Sequence, residues 1–128
     1  MKPLLELAIR AYDLPKMVAF YLDVVGLTLY RDLSPEVVFL ECAAGIEGHP
    51  QLFAIFDRAV CDETERKRLD HFAFGIDLAD YDAELERLQG LGIATRLREF
   101  PNLGWRSIFF SDPEGNVVEF VSHDASVG

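Results

Sequence analysis

The sequence predicts an α+β fold of two tandem β-α-β-β-β modules, and three observations carry that prediction. First, Leu4-Leu5-Glu6-Leu7-Ala8-Ile9-Arg10-Ala11 and Leu69-Asp70-His71-Phe72-Ala73-Phe74-Gly75-Ile76 are strand-like octads 65 positions apart, with apolar residues at matching places and alanine fifth in each. Self-similarity at such a spacing marks a duplicated supersecondary unit. Second, each octad runs into an amphipathic segment and then a glycine, Gly26 in one copy and Gly92 in the other. Glycine there supplies the left-handed residue with which helices commonly end. Third, the turn-like Gly45-Ile46-Glu47-Gly48-His49 precedes Asp112-Pro113-Glu114-Gly115-Asn116 by 67 positions, so the second halves of the units agree too.

Each element has a local reason. In the first octad Glu6, Ala8 and Arg10 alternate with Leu7 and Ile9, so the polar set lines one face of a strand and the apolar set packs beneath it. Met17, Phe20, Tyr21 and Val24 recur at helical spacing, and Asp13 stands where an N-cap belongs. Leu27–Arg31, Val37–Cys42 and Gln51–Phe56 are strand candidates separated by turn residues. In the second unit His71, Ala73 and Gly75 share a face, opposite Phe72, Phe74 and Ile76. Tyr81, Leu85 and Leu88 then mark a helix with Asp80 at its cap, and Ala94–Arg98, Arg106–Phe110 and Val117–Ser122 supply three strands. The expected organisation is module 1 over residues 1–57, a charged surface connector over 58–68, module 2 over 69–123 and a mobile tail over 124–128.

Composition bounds the function. The chain has 128 residues, 50% hydrophobic and 27% charged, which suits one sizeable core and lies far from disorder. Its longest apolar runs fall well short of the roughly 20 residues of a membrane span, and its first residues lack a secretory pattern, so the expected compartment is the cytoplasm. Cys42 and Cys61 are expected to be reduced thiols. A net charge of −10 repels phosphate backbones, and the one basic run, Arg66-Lys67-Arg68, reads as a solvated loop. Nucleic acid and membrane are therefore not expected partners. The sequence holds neither a glycine-rich phosphate loop nor a Gly-x-Ser-x-Gly elbow, which sets aside nucleotide-dependent and serine-hydrolase chemistry.

The chain resembles the vicinal oxygen chelate superfamily, which includes glyoxalase I, fosfomycin-resistance proteins, extradiol dioxygenases and bleomycin-resistance proteins. The carriers are Leu5-Glu6-Leu7-Ala8-Ile9 leading to Asp13-Leu14, Phe20-Tyr21 through Gly26-Leu27, Leu69-Asp70-His71-Phe72-Ala73-Phe74, and Asp112-Pro113-Glu114-Gly115-Asn116-Val117-Val118-Glu119-Phe120. The resemblance covers almost the whole chain. It implies modules that form open half-barrel sheets around a cavity, the glyoxalase/bleomycin resistance/dihydroxybiphenyl dioxygenase fold, completed in a homodimer. It also implies metal ligands on the first strand of each module and on the last strand, positions held here by Glu6, His71 and Glu119. One imidazole and two carboxylates suit Fe, Mn, Ni, Co or Zn. Glu6 and Glu119 double as candidate proton carriers for isomerase, lyase or dioxygenase chemistry on a small oxygen-rich substrate.

Departures from the family patterns accompany this set. Glyoxalase I resembles a four-ligand site, but aligning the repeats without gaps through their turns places Leu52 opposite Glu119, leaving only Gln51 nearby. Taken singly, a strand histidine is most often a hydrogen-bonded core or rim residue. Arg10, on the Glu6 face, is a candidate clamp for an anionic substrate group, or else an ion-pair partner of Glu6. His49 after its turn and Trp105 beside the loop Pro101-Asn102-Leu103-Gly104 are further substrate-binding candidates, the loop being a candidate flexible cover for the pocket. The alternative function is a metal-free module of the bleomycin-resistance type, in which the negative charge sequesters a cationic ligand.

Overall fold

The computed structural model describes residues 2–58 and 69–128. They fall into two compact units, Met1–Arg66 and Lys67–Gly128, here modules 1 and 2. Each has the β-α-β-β-β order that the repeat predicts. Most of the connector expected over 58–68, with Cys61 and the basic run, lies outside the described residues. None of the described helices is long and apolar enough to cross a membrane.

Module 1 comprises β1 (Glu6–Ala11), α1 (Leu14–Phe20), β2 (Thr28–Leu33), β3 (Val37–Ile46) and β4 (His49–Asp57). The sheet order is β1-β4-β3-β2, with β1 parallel to β4 and the other pairs antiparallel. Asp13 caps α1 as expected, its Oδ1 accepting from the Lys16 amide at 3.1 Å. The helix does not continue regularly to Val24. A wider π turn spans Tyr21–Val25, closed by Gly26 at φ 88°. That turn shifts the phase of the apolar stripe: Met17 and Tyr21 are fully buried, with the Tyr21 ring 4.5 Å from that of Phe53, whereas Phe20 and Val24 are half-buried.

Module 2 repeats the design with β5 (Phe72–Gly75), α2 (Tyr81–Gly90), β6 (Arg96–Phe100), β7 (Trp105–Ser111) and β8 (Val117–His123), in the order β5-β8-β7-β6. Ile108, Phe110, Val118 and Phe120 fill its core beside Tyr81 and Leu88 of α2. Asp80 makes no side-chain cap. It is the last residue of a 3-10 turn, Leu78–Asp80, and its own helical backbone (φ −95°, ψ −6°) takes the place of the extended conformation a capping carboxylate needs. At the chain end, residues 125–127 form a 3-10 turn, with the Asp124 amide bonded to the Gly104 carbonyl at 2.7 Å. Hydrogen bonds from Ser126 hold the Asp124 carboxyl below the usual range.

The hairpins of the two modules differ in a way that matters for the site. In module 1, β3 and β4 run on to a two-residue turn, Glu47-Gly48, both at positive φ (50° and 79°), the geometry of the tightest hairpins. In module 2 the turn is five residues long. Asp112 organises it, accepting from the Glu114 and Asn116 amides at 2.9 Å and from Asn116 Nδ2 at 2.7 Å, with Gly115 at φ 84°.

Candidate metal centre

Strand register assembles the site in module 2. Ala73, Glu119, Phe109 and Arg96 are successive ladder partners across β5, β8, β7 and β6, so their side chains stand in one row on one face. His71 precedes β5 by one residue and has the parity of Ala73. Its Nε2 lies 3.2 Å from Glu119 Oε2. Glu119 is only 2% exposed, and a carboxylate so buried is costly unless every lone pair is answered. Its other oxygen, Oε1, accepts from Ser107 Oγ at 2.5 Å. Ser107 is in turn held from behind, because the Tyr81 hydroxyl at the start of α2 donates to its carbonyl at 3.2 Å. Burial raises the pKa of that phenol and keeps it a donor. On the far side of the imidazole, Asp70 Oδ2 is 2.6 Å from His71 Nδ1, while the Phe109 ring lies edgewise at 5.9 Å.

Residues 4–120 match the family model for the Glyoxalase/Bleomycin resistance protein/Dioxygenase superfamily. The chain belongs to that superfamily. Lactoylglutathione lyase from Agrobacterium tumefaciens is 30% identical at a TM-score of 0.76, over 94% of this chain and 92% of that one. The fosfomycin resistance protein FosX of Listeria monocytogenes is 21% identical at a TM-score of 0.72, over 99% and 98%. A mutant of that protein, similar to this chain at a TM-score of 0.71, was solved complexed with Mn(II) and 1S,2S-dihydroxypropylphosphonic acid. No curated protein matches the chain.

The donors in module 2 fit the divalent ion that such a superfamily member implies. Two ligands each about 2.1 Å from one ion, at angles of about 90–109°, stand about 3.0–3.4 Å apart, and His71 Nε2 and Glu119 Oε2 have that separation. Asp70 sits where an outer carboxylate orients a ligating imidazole, accepting a hydrogen bond from Nδ1–H so that the Nε2 lone pair is free for the ion. The set is a pair, not a full cage. Among the described residues no three His, Cys, Asp or Glu side chains are gathered into a metal-holding group. Cys42 adds no thiolate at neutral pH, since burial and the neighbouring Glu41 push its thiol up to about 11.

Module 1 carries the remaining candidates. Glu6 is exposed on β1 and pairs in register with Leu52; Arg10 projects from the same face and is already engaged by other groups. The ladders correct the expected equivalence of Leu52 with Glu119. Ala8, Ala54, Phe39 and Arg31 form the row that matches Ala73, Glu119, Phe109 and Arg96, so the counterpart of Glu119 is the buried Ala54 and Leu52 matches Val117. The cause is the hairpin difference: the turns lie 67 positions apart, but the strands before them are 70 apart in register and the strands after them 65. Gln51 is occupied, its Nε2 donating to the Leu4 carbonyl at 2.8 Å. His49 is exposed at the start of β4, its Nδ1 2.8 Å from the Pro50 carbonyl and its ring 6.0 Å from that of Tyr30.

Trp105 lies on the Glu119 face two rows away, its ring 6.4 Å from that of Phe100. The Pro101–Gly104 segment is a hairpin turn pinned by the Leu103 to Phe100, Gly104 to Pro101 and Asp124 to Gly104 backbone bonds. It does not cover the cavity of module 2. That cavity, about 380 Å³, is lined by residues at the opposite end of the β6–β7 hairpin, among them Thr95, Arg96, Phe109 and Ser111. Asp70, Ser107 and Arg96 are the site residues that sequence reasoning missed. Only cross-strand register reveals Ser107 and Arg96, while the Asp-His pair at 70–71 was visible in the sequence itself.

Proposed function

We propose that the protein is a metal-dependent enzyme of the glyoxalase type, acting on a small molecule that presents adjacent oxygens to a divalent ion held by His71, Glu119 and Glu6. The observation that supports this best is the 3.2 Å approach of His71 Nε2 to Glu119 Oε2, with the imidazole steadied by Asp70. A bound ion would polarise those oxygens as a Lewis acid. The chain's own part is to position and to move protons. Ser107 fixes one Glu119 oxygen by donating to it, so that Oε2 would hold the ion and, when displaced from it by substrate, take or return a proton. Phe109 and Val117 on the same face keep water from the substrate's carbon skeleton. Glu6, exposed on its strand, is the second candidate proton carrier.

Protein prepared without chelator should hold one divalent transition metal per chain, and small diols and α-hydroxycarbonyls should bind it more tightly by calorimetry before chelator treatment than after. Tight binding of a cationic glycopeptide, indifferent to chelator, would instead establish the metal-free sequestering module that the net charge of −10 suits.

The proposal includes a homodimer in which the module 1 of one subunit joins the module 2 of the other, so that Glu6 of the partner subunit completes each centre. Exposed Leu29 and Leu33 on β2 and Leu97 on β6 leave apolar side chains on edge strands, which natural sheets usually cover. Sedimentation velocity should give twice the chain mass at low micromolar concentration; a monomer at high micromolar concentration would remove the shared centre.

A further inference from the structure

The cavity of module 2 contains a cation with no counter-ion among the described residues. Arg87 is held by Glu84 at 2.7 Å, and Arg106 lies 3.9 Å from both Glu99 and Asp124. Among the described residues Arg96 forms neither an ion pair nor a guanidinium hydrogen bond; its Cζ stands 5.1 Å over the Phe109 ring. A guanidinium resting on a ring is fixed by its flat face while its N–H edge stays open to accept a ligand. The same Phe109 ring touches the His71 imidazole edgewise, and Arg96 shares the row of Glu119. Two interstrand steps of about 4.8 Å separate the backbones of β6 and β8, so a group held by Arg96 lies within one small molecule's length of Glu119. The hydroxyls of Thr95 and Ser111 line the same cavity, and donors outnumber acceptors among its polar side chains.

We propose that this cavity is a carboxylate pocket, in which Arg96 clamps the acid group of a short hydroxy or oxo acid whose neighbouring oxygens reach His71 and Glu119. The inference rests on the metal-dependent reading and adds to it the class of substrate. A planar carboxylate matches the guanidinium fork through two parallel hydrogen bonds, which a neutral amide cannot form. The Phe109 ring beneath the guanidinium lowers the cost of ordering such a clamp on binding. Charge on the molecule as a whole opposes an anion at long range, but within the screening length of about 8 Å at physiological salt the local arginine dominates.

The test pairs lactate and glycerate with their neutral amides, measuring binding by calorimetry and by shifts of the arginine Nε–H resonances, with metal added and with chelator, while metal uptake is titrated separately. The wild type should prefer each acid to its amide by about ten- to hundredfold. Arg96→Gln should erase that preference and leave metal uptake unchanged, and Arg96→Lys should restore part of it. Arg98→Gln is the charge-matched control: its Cζ lies over Phe100 at 4.8 Å, on the same face but outside the cavity lining, and it should keep the preference. Equal affinity for acid and amide in the wild type, absence of acid binding with metal present, or an Arg96→Gln protein that still discriminates would each overturn the proposal. Arg96-dependent preference for the acid in a protein that takes up no metal would uphold the pocket while removing the metal-dependent function.

Discussion

His71→Ala is expected to lose divalent metal at micromolar concentration while the fold persists. The imidazole supplies the only nitrogen of the proposed set, and Glu119 alone offers an ion one oxygen already facing it and another tied to Ser107. Removal of an outer partner of a ligand costs about 10–100-fold in affinity, so Asp70→Ala should fall in that range and His71→Ala beyond it. The order of the two variants is the informative part. Equal losses would mean that both residues merely shape the rim, and stoichiometric metal in dialysed His71→Ala would take His71 out of the centre. Circular dichroism should show an unchanged fold, because the His71 side chain is 39% exposed and its contact with Glu119 is partly screened.

Glu119→Leu should end metal binding and yet leave the protein as stable as the wild type or more so. Glu119 stands within the apolar run Val117, Val118, Phe120 and Val121 of β8, and it is 2% exposed. Taking a carboxylate out of water costs several kcal/mol, and replacing a buried ion pair by apolar side chains of similar volume is often neutral or stabilising by about 1–4 kcal/mol. The single substitution strands the Ser107 hydroxyl, so the gain should appear fully in Ser107→Ala combined with Glu119→Leu. At about 3–6 °C per kcal/mol for a domain of this size, the double variant should unfold several degrees above the wild type in a metal-free buffer. Glu119→Ala, which leaves a cavity as well, should be less stable than either. A double variant that melts well below the wild type would mean that the carboxylate is an asset to the fold, and its role a structural one.

The fold was legible because duplication writes each element twice: the octads at Leu4 and Leu69 alternate in the same phase, and Gly26 and Gly92 each follow a helix. The alternation that separates Glu6 from Leu7 and His71 from Phe72 also orients the side chains without any knowledge of partners. What stayed hidden depends on pairing between strands. Ser107 answers Glu119 from across β7 and β8, twelve residues away, and no local pattern marks a serine as the donor to a buried carboxylate. The match of Leu52 to Glu119 failed because turns are the least constrained part of a hairpin. Module 1 closes with Glu47-Gly48, module 2 with Asp112–Asn116, and the repeat is in register only within the strands. Asp80 failed as a cap since a 3-10 turn entered the helix ahead of it.

The row in which Ala54 replaces Glu119 has a consequence for how the molecule breathes. Ala54 and Ile55 are fully buried in β4, and β3 and β4 are longer strands than β7 and β8 and carry no fully buried carboxylate. Protection of backbone amides against solvent exchange follows such differences, since segments with many buried apolar contacts open least often. The central amides of β3 and β4 should therefore be the last to exchange with deuterium, and those of β8 around Glu119 should follow sooner. The duplicated architecture would then divide into a slow-opening scaffold and a more yielding copy in which the reactive groups reside.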